Sequence, residues 1–267
     1  MRELAENANA YTVLGPDEER VEDPRFVIWF GPGDHPAFTV VQRLRLSTGQ
    51  LDEEVAEIRA AVAARGRRAC TWEVAGSATP ADLTDRLISI GLVPDRDPLA
   101  IGMVLTEPPQ GTEPPGIVVR RAETLAEVEA AIRIAGIAFD LPADALEPEL
   151  ERAPTILADE GKRSATYLAF SEGRPVARAT ASFTPAAVLL FGGATLPDAR
   201  GRGAYRALVK ARWDDAVARS TPFLVTHAGA LSRPILGRLG FREVAVIRIL
   251  LDEHVSSRPP DSRLSSL

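Results

Sequence analysis

The chain has 267 residues, 45% hydrophobic and 25% charged, enough to fill the core of one large domain or two small ones. A net charge of −6 gives nucleic acid no bulk electrostatic attraction, and no nucleic-acid partner is expected. The single cysteine, Cys70, excludes an internal disulfide, and His35, His227 and His254 are far apart with no HExxH or CxxC spacing, so no metal site is expected.

The opening segment, MRELAENANA, lacks a basic stretch followed by an apolar one, and no apolar run nears the roughly 20 residues that cross a bilayer. The expectation is a cytoplasmic protein with no membrane partner. Residues 1–23 are polar, with room for one short helix. Phe26–Phe30 and Phe38–Leu46 read as strands, with His35 in the turn between them. Leu51, Val55, Ile58 and Val62 recur with helical spacing up to Gly66. Ala69–Val74 is the next strand. Thr79-Pro80 suits a helix start, with Leu83, Leu87 and Ile88 as its apolar side and Gly91 at its end. Leu99–Leu105 closes this half as a strand. Thr106–Gly116, with two Pro-Pro pairs, reads as an extended linker. The expected domains are 1–105 and 117–252, joined by a linker at 106–116 and followed by a flexible tail at 253–267.

The second half opens with a strand at Ile117–Arg120. Thr124 and Glu127 form a capping box before a helix carrying Val128, Ile132, Ala135 and Phe139. An acidic helix within Ala143–Ala158 is interrupted by Pro148. Thr166–Phe170 and Pro175–Phe183 pair about a turn at Glu172-Gly173. Phe223–Thr226 is a further strand, Ser232 can cap a short helix ending at Gly240, and Glu243–Leu251 is the last strand.

Between these lies the most informative stretch, AVLLFGGATLPDARGRGAYRALVKARWDDAVAR. Val188–Phe191 is a buried strand that ends at Gly192-Gly193, Thr195 and Pro197. Arg200-Gly201-Arg202-Gly203 follows, and then a helix whose face holds Tyr205, Leu208, Val209 and Trp213. The first N–H groups of a helix point outward without partners, its dipole adds positive charge, and glycine lets backbone approach an anion closely. Strand, glycine turn and helix start with two arginines therefore form an anion cradle. The same spacing also fits a plain connection with two turn glycines and solvated arginines.

This stretch resembles the acetyl-CoA signature of the GNAT acetyltransferase superfamily. Arg200 and Gly203 match its first and fourth positions, Tyr205 stands where the family has a small residue, and Leu239-Gly240-Phe241 resembles its closing Gly-Phe turn. The resemblance covers roughly Ile117 to Asp252. It implies an α+β fold with a mixed, mostly antiparallel sheet, and an N-acetyltransferase moving an acetyl group from acetyl-CoA to a primary amine of a small molecule or protein. The pantetheine arm would pair near Gly193, Ala194 and Thr195, and the pyrophosphate would lie over Arg200, Gly201, Arg202, Gly203, Ala204 and Tyr205. Ser232 can bind the cosubstrate or cap its helix. Ala187–Thr195 has no ionisable side chain, and Gly229 and Leu236 stand where the family often has an asparagine and a general-acid tyrosine. His227 is then the candidate base, since histidine titrates near neutrality, although a strand-end histidine is also an ordinary structural residue. A protein that binds acyl-CoA without turnover is the alternative. Asp140, Asp144, Glu147, Glu149 and Glu151 would suit a cationic acceptor or form a solvated acidic face.

The first half repeats the order strand, helix, strand, short helix, Gly-hydrophobic turn and closing strand, with Gly91-Leu92 matching Gly240-Phe241. Two GNAT-like copies in tandem are expected. The first has Ser47-Thr48-Gly49-Gln50 where the second has its cradle, so it is expected to bind no CoA.

Overall fold

A computed structural model describes residues 1–141 and 143–255; the expected flexible tail from 256 onward lies outside the described residues, as does the side chain of Asp144. In chain order the elements are α1 (Arg2–Glu6), β1 (Glu19–Glu22), β2 (Val27–Phe30), β3 (Thr39–Gln42), α2 (Leu51–Ala63), β4 (Cys70–Ala75), α3 (Leu83–Ser89) and β5 (Val93–Leu105). There follow β6 (Ile117–Arg121), α4 (Leu125–Phe139), α5 (Ala143–Glu151), α6 (Ala153–Asp159), β7 (Ser164–Ser171), β8 (Arg174–Phe183), β9 (Val188–Thr195), α7 (Ala204–Ala218), β10 (Leu224–Ala228), α8 (Arg233–Arg238) and β11 (Arg242–Asp252).

These elements form two compact units, and neither is one continuous stretch. One holds Leu14–Ala100 with the chain from Val246, the other Met1–Val13 with Ile101–Ala245. The units therefore do not follow the expected 1–105 and 117–252 division. The reason is an exchange of closing strands. Ile101–Leu105 of β5 pairs with β10 in the later unit, and Ile247–Asp252 of β11 pairs with β4 in the earlier one. Each closing strand satisfies its backbone groups in the unit that the other half of the sequence builds.

In the earlier unit the strand order is β1-β2-β3-β4-β11, and only β3 and β4 run parallel. The helix α2 makes their crossover, as a parallel pair requires. Phe26, Ile28, Val41, Val55, Ile58 and Trp72 fill the core beneath it. Cys70 belongs to that core, where burial pushes its thiol up to about 12 and leaves it inert. In the later unit the order is β5-β10-β9-β8-β7-β6, with β9 and β10 the parallel pair and α7 the crossover. Alanines of β7 and β8 let α7 pack closely through Leu208, Val209 and Trp213. The helices α4 and α6 bring Val128, Ile132 and Ala153 against Leu168 and Ala194 in a separate cluster. Both units are thus mixed, mostly antiparallel sheets with helices against them.

The repeat extends to single hydrogen bonds. After α3, Gly91 has φ +102°, and the Leu92 N–H donates to the Leu87 carbonyl at 3.1 Å. After α8, Gly240 has φ +98°, and the Phe241 N–H donates to the Leu236 carbonyl at 3.1 Å. Both are Schellman ends, with the hydrophobic contact that such ends favour between buried side chains.

Several local expectations are corrected. The strand after His35 stops at Gln42, because Arg43 turns to φ +55°. Thr79 does not cap a helix: its backbone is bonded to Leu44 and Leu46, so α3 starts later, with Asp82 at its N-cap. Pro148 lies inside α5, and the break falls at Arg152. So few residues precede Pro148 in the helix that it forfeits little more than one bond. The strand at β9 runs on through both glycines to Thr195. Nor is the 106–116 segment a loose tether, since the Gln110 N–H donates to the Leu239 carbonyl at 3.0 Å and Pro114 is buried. Among the described residues no helix is long and apolar enough to cross a membrane.

Candidate functional site

The site is built where β9 leaves its neighbours. On the β8 side, Thr180 pairs with Phe191 and Arg178 with Ala194, so Gly192 and Gly193 together face one residue. That is a β-bulge, and Gly192 adopts φ +54°, which glycine tolerates best. On the β10 side the parallel register ends at Thr226 opposite Leu190. Beyond it, after the bulge, Ala194 and Thr195 pair with β8 alone, and the edge of β9 toward β10 opens. Backbone groups along that edge are available to an extended ligand.

Below the opening, Tyr205 turns inward. Its ring packs so close that a Cβ on Gly193 would lie 2.6 Å from Tyr205 Cε2. The small residue expected by the family pattern is thus replaced by a tyrosine whose ring fills space over Gly193 and away from the helix start. Its hydroxyl lies beside Arg212, and burial raises its pKa.

At the helix start, Gly203 is the N-cap residue with φ +89°, and no side chain caps α7. The Ala207 N–H donates to the Gly203 carbonyl at 3.0 Å, so the N–H groups of Ala204, Tyr205 and Arg206 precede the first helical bond. Gly201 has φ +78° and open space where a Cβ would stand. Arg200 and Arg202 are exposed beside it, Arg200 Nε donating to the Thr195 carbonyl at 3.3 Å. These are the elements of the expected cradle, and an uncapped helix start beside two exposed cations fits a phosphate group. Pro114 closes one flank, and beyond it a cleft of about 320 Å³ is lined by Gln110, Pro114, Val119, Arg206, Lys210 and Leu239.

On the opposite face of the sheet from α7 stands a residue that the sequence did not single out. Ala177, Ala179 and Ala181 pack toward α7, so strand alternation sends Arg178 to the other face. Its Nη1 donates to the Gly192 carbonyl at 2.8 Å. A Cβ on Gly192 would lie 2.1 Å from that nitrogen, so the guanidinium takes the place of a side chain there. Burial, then the charge of Arg212, bring Arg178 down to about 10, and Glu149 opposes them. Arg212 is 1% exposed, with its Nε donating to the Leu208 carbonyl and its Nη1 to the Thr180 carbonyl. Arg178 Nε and Arg212 Nη2 are buried without a partner. The available signal was one arginine among alanines and threonines, facing the Gly-Gly pair across the strand.

The remaining candidates are placed unequally. The ring of His227, on β10, has its Nε2 2.9 Å from the carbonyl of Ala5 in α1. Ser232 precedes α8, but its hydroxyl donates to the Gly229 carbonyl at 3.4 Å and caps nothing. Its φ of −86° and ψ of −32° are already helical, which turns the hydroxyl away from the N–H groups it would have to meet. The acidic set divides. Glu147, Glu151 and Asp140 are exposed, whereas Glu149 is half-buried, pairs with Arg152 at 3.4 Å and acts on Arg178. Leu236 is fully buried, as a core residue and no acid.

No family model matches the chain, and no curated protein matches it. Solved structures do. A GCN5-related N-acetyltransferase from Kribbella flavida is 21% identical with TM-score 0.68, covering 94% of this chain and 95% of its own. A tandem GNAT protein from the clavulanic acid biosynthesis pathway is 16% identical with TM-score 0.61, covering 96% and 89%. A GCN5-related N-acetyltransferase from Sphaerobacter thermophilus is 17% identical with TM-score 0.62, covering 90% and 81%. At these identities the likeness is one of fold, and it extends over nearly the whole chain. The chain is therefore built on the tandem GNAT fold.

Proposed function

We propose that the protein is an acyl-CoA-dependent N-acetyltransferase that moves an acetyl group to a primary amine of a small molecule or protein, with CoA held by the later unit. The observation that supports this most is the opening of β9 from β10 beside the uncapped, glycine-flanked start of α7. Ala204, Tyr205 and Arg206 offer their N–H groups, and Arg200 and Arg202 their charge, to the pyrophosphate. The free edge at Gly193–Thr195 offers backbone groups to the pantetheine arm. Holding both ends of a flexible cosubstrate converts an encounter in solution into an oriented one, worth several kcal/mol of barrier.

Acyl-CoA supplies the activated acyl group; the chain must accept the proton that the amine loses. His227 is the proposed base. A carbonyl only accepts, so the ring donates through Nε2 to Ala5. Binding of acyl-CoA without turnover is the second reading. Leu236 in the core, where the family often has an acid, favours it. Thiol release from acetyl-CoA, followed over a panel of amines, separates the two. Amine-dependent release supports transfer; retention of CoA with no release from any amine supports binding alone and overturns the transferase.

A further inference from the structure

Arg178 has no role in the cradle and none in proton transfer, yet it is the most unusual charge in the later unit. A guanidinium is costly to bury unless its charge is matched. Here it makes no ion pair with any carboxylate among the described residues, its Nε is unpartnered, and the fully buried Arg212 adds like charge nearby. Glu149 acts on it from beyond ion-pair distance and already belongs to Arg152. Arg178 thus stands at the bulge with the like charge of Arg212 acting from the α7 side and at most one partial counter-charge. The bulge glycine also admits the guanidinium to the rim of the β9 opening, where any side chain would exclude it. A planar fork with unused donors at that rim matches a carboxylate.

We infer that Arg178 binds a carboxylate carried by one of the two reactants, next to the atoms that react. This rests on the proposed function. It names the substrate class that the acidic helix residues did not: a partner with an anionic group beside the reacting centre. The carboxylate has two possible sources, an amino-acid acceptor or a dicarboxylic acyl group.

The test uses the full chain and its R178Q and R178K variants, with thermal melting to confirm folding. In one arm, acetyl-CoA is offered with phenylalanine or phenethylamine, and with glutamate or 4-aminobutyrate. In the other arm, succinyl-CoA and acetyl-CoA are compared for affinity by calorimetry. A third readout needs no turnover: succinate is titrated against the melting temperature of the CoA-free protein. The expected result is at least a tenfold preference for the carboxylate-bearing partner in one of the first two arms, identifying the source. R178Q should lose that preference, R178K should keep part of it, and succinate should raise the melting temperature of the wild type but not of R178Q. CoA affinity measured alongside separates the two claims. If the wild type binds CoA but prefers no carboxylate, or if R178Q keeps the preference, the inference is overturned and the proposed function stands. If R178Q loses CoA affinity without any carboxylate effect, Arg178 supports the bulge only and the inference is likewise overturned. If the wild type binds no CoA, the proposed function fails, and with it this inference.

Discussion

Pro114 lies so close over Gly203 that a Cβ at position 203 would meet the proline Cβ at 2.6 Å. The glycine is held there for two reasons, since its φ of +89° also excludes other residues at a cost of roughly 1–2 kcal/mol. A bulky residue at 203 would therefore damage the fold as well as any phosphate site. G203V is expected to lower the melting temperature by several degrees, and loss of CoA binding in it would prove little. A melt unchanged within error would show that Pro114 moves aside freely.

The bulge gives a sharper prediction. Gly193 is small because Tyr205 occupies the space above it. G193A should cost about 1–3 kcal/mol by overpacking, and most of that cost should vanish when Tyr205 is also replaced by Ala. A double-mutant cycle in urea measures the coupling, expected to be at least about 1 kcal/mol. Additive effects would mean that the ring does not press on Gly193.

A pH dependence follows from Glu160, at the end of α6. Its Oε2 accepts the Thr166 N–H at 2.9 Å, while its Oε1 is buried without a partner. Burial raises its pKa to about 7, against the Thr166 N–H and Arg121, with Asp159 and Asp215 adding to the rise. The folded protein then holds this proton more tightly than the unfolded chain does. The contribution is fully present below the ordinary carboxyl value and is lost as pH rises through about 7. E160Q keeps an acceptor for Thr166 and removes the charge. It should melt higher than the wild type at pH 8 and no higher at pH 5; equal melts at both would contradict the assignment.

His227 should affect rate and leave the hold on CoA unchanged. Replacing it by Ala is expected to lower kcat at least tenfold, within the usual contribution of a general base, with CoA affinity kept within about twofold. An unchanged rate in a preparation that turns over would assign the proton to water or another group.

Much of this arrangement was legible in the sequence. The Thr124–Glu127 cap, the Leu51–Val62 periodicity and the Gly91 and Gly240 turns each state a local rule that the fold obeys. The strand, glycine turn and helix start from Val188 to Ala204 were legible because glycine spacing expresses backbone conformation directly. Arg178 was not, because its meaning depends on a bulge in the next strand. The exchange of closing strands was equally hidden. Leu99–Leu105 and Glu243–Leu251 read as strands in any partnership, and nothing in an apolar strand names the strand it will join. Thr79 misled because Thr-Pro suits both a helix start and an extended bridge, and the bridge to Leu44 and Leu46 won.

The earlier unit provides the contrast on which the central claim rests. At the start of α2, Glu54 turns back so that its Oε2 accepts the Ser47 N–H at 2.7 Å, and the carboxylate is 4% exposed as a residue. Asp52 and Glu53 follow in the same first turn. Negative charge already stands beside that helix start; Arg25 Nη1 lies 3.6 Å from Glu54 Oε1, and no arginine lies within Ser47–Gln50 itself. The later unit has the reverse, an uncapped helix start with Arg200 and Arg202 beside it. The most direct test is calorimetric titration of CoA into the full chain and into an R200E/R202E double variant, whose exposed substitutions should leave the melt intact. The account predicts one CoA per chain for the wild type and at least tenfold weaker binding for the variant, with no residual tight site. Two CoA per chain, or an affinity indifferent to both charge reversals, would contradict it.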